Sequence, residues 1–476
     1  METKPHQKLH IFFFPYMAQG HIIPLIDIAK LFASHGVKST LITTALNAPL
    51  FSKAIQSSKN LGFEIEILVI QFPAIEVGLP QGFEITSMAT THEMQEKFFK
   101  ATFLLEPQIE QILDQHRPHC LFADSLFPWA TDVAAKFGIP RLIFHGPGFF
   151  PLCAATIVIL QEPQKKVSSD SEVFTIPNLP VEIKMTRNQV PTMLEKNADT
   201  ILSKSLQEGV WEEGMAYRPV SLCNKAAGNK TEIRGMEASL DEHECLNWLN
   251  TKKINSVVYI CFGSLTNFSD PQLLEIALGL EAYGQEFIWV VKKEKKEKEE
   301  WLPEGFEQRM EGKGLIIRGW APQFYNEKLV TEILRIGVAV GSEKWASLVD
   351  VKKEASVKRD TIEKAVAQVM VGDEAEEMRS RARGLRELAR RAIEKGGSSY
   401  SDLNALIEEL RGEEESQCEE GSLEKVVSQV MVRDEAKEMR SRARALGEMA
   451  RRAVEEGGSS FSDLTALVEE LMSLRG

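Results

Sequence analysis

Apolar residues in the first 146 positions fall into short runs separated by stretches with helical spacing. "LHIFFF" (9–14) reads as a buried strand. "HIIPLIDIAKLFASHG" (21–36) follows with a helical apolar face and a closing glycine, and "VKSTLITT" (37–44) is the next strand. The alternation continues through the strand "EIEILVIQFP" (64–73), the helix and strand of "EPQIEQILDQHRPHCLFAD" (106–124), a helix over 130–138 and the strand "PRLIFHG" (140–146). Strands that alternate with helices predict a parallel, doubly wound sheet with helices on both faces. Residues 1–240 are therefore expected to form one α/β domain.

A second α/β pattern begins after "DEHECLNWLNTKKINS" (241–256). It has the strand "VVYICFGS" (257–264), a helix over 269–284 capped by Ser269 or Asp270 with Pro271 in its first turn and Gly284 as its stop, and the strand "QEFIWVVK" (285–292). "GLIIRG" (314–319) and "IGVAVG" (336–341) complete four expected strands, few for a Rossmann half, and the domain is taken as 241–350. The run "KKEKKEKEE" (292–300) reads as a solvated loop.

The tail repeats itself. Residues 362–410 recur at 423–471 with 36 of 49 positions identical. Both copies carry apolar residues at helical spacing and a Gly-Gly-Ser-Ser break before a last helix, so 361–411 and 422–476 are expected to be two helical segments joined by the polar linker 411–422. Solenoids need three or more repeats to bury a continuous core, so two near-identical copies indicate a duplicated terminal segment.

The chain has 476 residues, 43% hydrophobic and 26% charged, with net charge −13. Length calls for more than one core, and the negative charge gives a nucleic-acid surface no support. The six cysteines form no close pairs, which argues against a zinc site or a disulfide framework and fits a reducing compartment. No run reaches the roughly 20 apolar residues of a membrane span, and the N-terminus lacks a signal-peptide pattern. A cytoplasmic location is expected.

Two residues stand where chemistry is expected. His21 opens the first helix just beyond the first strand, and Asp124 ends a later strand of the same sheet. Ligands of open α/β sheets bind beyond the carboxyl ends of strands. The positive end of a helix disfavours imidazolium, so His21 is expected to be neutral and able to take a proton, with Asp124 fixing its tautomer. A packed or capping histidine is the alternative reading.

"FFFPYMAQGHIIPLIDIAKLFASHG" (12–36), "FADSLFPWATDVAAKFGIPRLIFHG" (122–146), "SVVYICFGSLTNFSDPQLLEIALGLEAYGQEFIWVV" (256–291) and "LIIRGWAPQ" (315–323), in that order, resemble the plant UDP-dependent glycosyltransferases of secondary metabolism. The resemblance implies a GT-B fold: two Rossmann-like domains facing a cleft, acceptor on the first and nucleotide sugar on the second. It implies His21 as general base on an acceptor hydroxyl, Asp124 as its partner, and inverting transfer of a hexose, glucose by expectation, to a flavonoid, phenolic or terpenoid. Trp320 matches the residue that stacks on uracil, the Ala321 backbone would bond the base, Ser264 would lie near the phosphates, and Gln323 belongs to the signature. Without the resemblance, Trp320 reads as a core residue and Ser264 as a turn serine. The donor is a UDP-sugar, with no cofactor and no metal.

The sequence departs from that pattern at one seam. The family's nucleotide-sugar signature opens at "WAPQ" and closes with an acidic residue and glutamine before a "FYNEK" helix. Here Gln323 adjoins Phe324 directly, so a stretch somewhat longer than a crossover of roughly 30 residues is missing. In the family, the lost stretch carries the helix N-terminus that faces the diphosphate and the groups that hold ribose and sugar. The second domain is thus expected to be truncated, and turnover impaired. A non-catalytic remnant that binds acceptor-like molecules, and a helix-mediated interaction protein, stay open as alternatives. A monomer is expected, with association through the tail as the alternative. The first tail copy, by the same resemblance, would cross back and brace the first domain, a place only one copy can occupy, which leaves the other exposed or swapped.

Overall fold

The computed structural model describes residues 8–146, 149–177, 182–190, 242–253, 256–260, 268–291, 301–318, 330–331, 334–340 and 357–417. Five parallel strands form the first sheet: β1 (His10–Phe14), β2 (Lys38–Thr44), β3 (Ile65–Ile70), β4 (Cys120–Asp124) and β5 (Arg141–Phe144), in the order β3-β2-β1-β4-β5. The helices are α1 (Gln19–Ser34), α2 (Pro49–Asn60), α3 (His92–Phe103), α4 (Glu106–His116), α5 (Ala130–Lys136) and α6 (Phe149–Gln161). Because successive side chains of a strand point to opposite faces, β1 serves two cores at once. Ile11 and Phe13 pack with α1 and α2, while Phe12 and Phe14 pack with α3, α4 and α5. A two-stranded antiparallel hairpin, β6 (Val173–Ile176) with β7 (Ile183–Thr186), packs on α6 around Phe174 and Met185.

The second sheet runs β10 (Gly314–Arg318), β9 (Glu286–Val291), β8 (Val257–Ile260), all parallel. Helix α7 (Glu242–Asn250) precedes it, and α8 (Asp270–Tyr283) and α9 (Phe306–Arg309) pack with it. The expected cap of α8 is Ser269, whose side chain accepts the Gln272 N–H at 3.3 Å, and Gly284 ends the helix at φ 66°. The expectation of a strand at "IGVAVG" is corrected: residues 336–340 form none. A strand exists only by pairing, and the described sheet has three strands where four were expected. Its burial differs too. β9 is buried along nearly its whole length, whereas β8 is only half-buried and its Tyr259 is 65% exposed. Every residue of β4 is buried.

The first tail copy lies in α10 (Arg359–Val371), α11 (Ala375–Ile393) and α12 (Ser398–Gln417), and α12 carries its helix past the expected end at 411, so the first half of the expected linker is helical. α10 lies on α8, held by reciprocal bonds between the Gln272 side chain and the Val357 backbone at 2.8 and 2.9 Å. The Gly396-Gly397 break then turns the chain. Gly396 has φ 88°, and a Cβ on Gly397 would sit 2.1 Å from the Arg391 carbonyl oxygen, so neither position tolerates a side chain. α12 runs back to the first sheet, where Leu403, Leu406, Ile407 and Leu410 join Ile11, Phe13, Leu25 and Phe32 in one buried cluster. The first copy thus takes the bracing position that the resemblance gave it. The second copy lies outside the described residues.

At the opposite end of β1 from the candidate site, His10 Nε2 meets Thr40 Oγ1 at 2.8 Å, and the His10 N–H donates to His119 Nδ1 at 2.8 Å. Burial, and then the charges of Lys38 and His119, pull the His10 pKa from 6.5 down to about 4. A depressed histidine contributes stability above its unfolded pKa and loses it as pH falls through the folded value. The urea midpoint is expected to fall between pH 6.5 and about 4, and His10→Gln to flatten that limb. An unchanged limb in the variant would remove His10 from the account.

Candidate active site

The sheet order places one crevice before any side chain is considered. The chain leaves β1 toward β2 and β3, then returns to β4 on the other side of β1, so the direction of winding reverses between β1 and β4. Loops beyond the carboxyl ends of two such strands splay apart and leave room for a ligand. Register pairs Phe14 with Ala123, which sets the next residue, Asp124, level with the Pro15-Tyr16 turn leading into α1. α1 begins at Gln19 without a side-chain cap, and His21 stands in its first turn.

His21 Nδ1 and Asp124 Oδ2 are 2.7 Å apart. Asp124 is fully buried, and the His21 side chain is 16% exposed. The carboxylate also accepts the Leu126 N–H at 3.0 Å on Oδ1 and the Tyr16 N–H at 3.4 Å on Oδ2. Arg141 donates to the Asp124 carbonyl at 2.9 Å, fixing the strand end itself. With Nδ1–H donated to the carboxylate, Nε2 carries the ring's free lone pair.

The Asp124 partner expected from the sequence is in place, and it acts on the proton affinity of the ring. Burial lowers the His21 pKa, but the charge and hydrogen bond of Asp124 outweigh it, and the net shift is upward. The carboxylate is buried and in contact with the ring, so it outweighs the more diffuse field of a helix end.

Three residues absent from the sequence reading complete the site. Tyr16 stands edge-on to the His21 ring at 5.6 Å between centroids. Burial drives the Tyr16 pKa upward, so its hydroxyl stays protonated. Gly146 lies so close that a Cβ there would be 2.7 Å from His21 Cε1. His145 has its Nε2 buried without a partner, and burial lowers its pKa. The signal for Gly146 was the glycine one residue beyond a strand's histidine, which pattern reading treats as a strand end. Of the other sequence candidates, Ser264, Trp320, Ala321 and Gln323 lie outside the described residues.

No protein-family model matches the chain. A UDP-glucose flavonoid 3-O-glucosyltransferase of Fragaria ananassa is 54% identical over 480 residues, covering 86% of this chain and 98% of the relative. The chain belongs to the plant UDP-dependent glycosyltransferases. A scopoletin glucosyltransferase of Nicotiana tabacum is 46% identical, covering 85% of this chain and 98% of the relative. Among solved structures of plant UDP-glycosyltransferases, Glycyrrhiza uralensis UGT73P12, complexed with glycyrrhetinic acid 3-O-monoglucuronide, superposes with TM-score 0.75 at 31% identity, over 91% of this chain and all of that one. The family's enzymes use UDP-sugar donors without a cofactor, and its GT-B architecture is the fold of this chain. Among the described residues, no cluster of His, Cys, Asp or Glu could hold a metal, and no helix is long and apolar enough to cross a membrane.

Proposed function

We propose that the chain is built to move a hexose, glucose in the simplest case, from a UDP-sugar to a hydroxyl of a small lipophilic plant metabolite, with inversion, and that its donor half is incomplete. The observation that carries the first part is the His21–Asp124 contact at the β1/β4 switch point. Nε2 of His21 takes the acceptor proton as the oxygen attacks the anomeric carbon. The C1–O bond to UDP breaks on the opposite face, and the diphosphate leaves with the electron pair. Asp124 holds the ring and stabilises the imidazolium formed, while Tyr16, Phe144 and Gly146 confine it. The 76–92 loop flanks this crevice: Thr86 N–H and Oγ1 donate to the Met17 carbonyl at 2.9 and 3.0 Å. Acceptor choice rests partly on that loop and on residues 160–200. The cytosol, as a reducing compartment that supplies nucleotide sugars, is the proposed location.

The match lengths support the second part. The Fragaria alignment spans 480 positions, but 86% of 476 residues is only about 410, so about 70 positions face no residue of this chain. That is more than the seam at Gln323–Phe324 accounts for, which supports a chain shortened there and at a further place in the aligned stretch. The unmatched 14% of the chain, about 67 residues, is close to the size of the second tail copy with its linker. On this reading Trp320, Ala321, Gln323 and Ser264 keep a partial grip on the nucleotide, and the groups facing diphosphate and sugar are lost. Removing one oxyanion-stabilising donor costs about 3–4 kcal/mol in other enzymes, so loss of the set takes turnover below useful rates.

Isothermal titration with UDP-glucose, up to millimolar concentration, is expected to give no heat above dilution. Transfer to a flavonol at a rate ordinary for the family would refute the incomplete donor half.

A further inference from the structure

The tail holds two sequences for one place. Among the described side chains of the first copy, ten are buried: Ile362, Ala365, Ala375, Met378, Ala392, Ser399, Leu403, Leu406, Ile407 and Leu410. At the matching positions of the second copy, 61 residues on, seven are unchanged, and the other three are Leu423, Val426 and Val468, all still aliphatic. The substitutions that alter charge, such as Gly372 against Arg433, Glu376 against Lys437 and Lys395 against Glu456, fall outside the buried set. The four residues that α12 seats against the first sheet recur as Leu464, Leu467, Val468 and Leu471, and Tyr400, whose ring lies 5.8 Å from that of His35, recurs as Phe461.

We propose that segment 459–471 is an alternative occupant of the groove now filled by α12, and that the two exchange within one chain. Both segments are tethered to the same groove, so each binds as an intramolecular ligand at high effective concentration. They differ chiefly in loop length. Seating the second copy lengthens the connection after α11 from the four residues 394–397 to the 65 residues 394–458. Loop closure scales as the three-halves power of length, which favours the first copy by roughly ten- to a hundredfold. Another molecule's tail lacks this tether and loses to both. α12 is thus the resident brace and 459–471 a spare that takes over when the resident is damaged.

Hydrogen exchange with mass spectrometry on the full chain tests this, because Tyr400, Asn404 and Ile407 against Phe461, Thr465 and Val468 give the two segments distinguishable peptides. In the unaltered chain, 398–410 is expected to be protected at least roughly tenfold over 459–471. In Leu403→Asp/Leu406→Asp, protection moves to 459–471, the melting temperature stays near that of the parent, and light scattering reports a monomer. Adding Leu464→Asp/Leu467→Asp removes both occupants, and protection of α1 falls with them. The proposal is overturned if the first-copy variant melts like the fourfold variant, if 459–471 stays unprotected in it, or if rescue arrives with a dimer.

Discussion

A chimera that keeps residues 1–190 of this chain and takes everything beyond from the Fragaria enzyme is expected to transfer glucose from UDP-glucose to a flavonol, where the chain itself fails by at least ~10³-fold. The retained part holds all five strands of the first sheet, the His21–Asp124 contact and the 76–92 loop. The replaced part supplies a whole donor half in place of the one proposed above to be incomplete. Replacing the whole half avoids having to place each gap. In the active chimera, His21→Ala is expected to lower kcat by roughly 10²–10⁴-fold, the size of one proton transfer at a positioned base, with little change in KM for UDP-glucose. An inactive chimera that still binds UDP-glucose would show that the dyad is not competent. Activity that survives His21→Ala would assign the base elsewhere.

Asp124→Asn is expected to reverse the direction of the His21 pKa shift. The carboxylate is what holds that pKa above 6.5, and once it is neutralised the burial of the ring remains and pulls the value below 6.5. Imidazole carbon–proton correlations in selectively labelled protein, with His21→Gln as the assignment control, read the change directly. Stability follows with a definite sign. A histidine whose folded pKa is raised contributes stability that is complete below 6.5 and is lost as pH rises through the folded value. The deficit of Asp124→Asn relative to the parent should therefore be largest in mild acid and shrink toward alkaline pH. A remainder of about 1–3 kcal/mol should persist there, because the Tyr16 and Leu126 N–H groups lose a charged acceptor in a buried position. A deficit independent of pH would mean that the contact positions the ring without coupling to its proton.

The centre of the first sheet was legible because β1, β2 and β4 are buried almost throughout, which leaves continuous apolar or small-residue runs between helices that bury one face. The cap and stop of α8 were legible for a local reason: Ser269, Pro271 and Gly284 act within one turn of their own backbone. His21 and Asp124 were legible as residues at strand ends, but their contact spans 103 positions and depends on β1 and β4 being neighbours. Period alone does not give that order. Gly146 and Tyr16 were illegible since their importance is a close approach to one ring, a property of the folded crevice. "IGVAVG" failed in the other direction: it has a local preference for a strand, but residues 336–340 do not pair with the three-stranded sheet. The balance of burial against the Asp124 carboxylate at His21 was not legible, because it depends on how deeply the folded crevice encloses each group.

The seating of Leu403 to Leu410 against Ile11 and Phe13 joins the first tail copy to the first strand, some 390 positions earlier. During synthesis, the greasy side of the first sheet must wait until nearly four hundred further residues have left the ribosome before its last cover arrives. Contacts so remote in sequence slow folding and prolong exposure to aggregation. The nascent amino-terminal half is therefore a natural client for chaperones, and translation stalled anywhere before the brace would release a sticky intermediate.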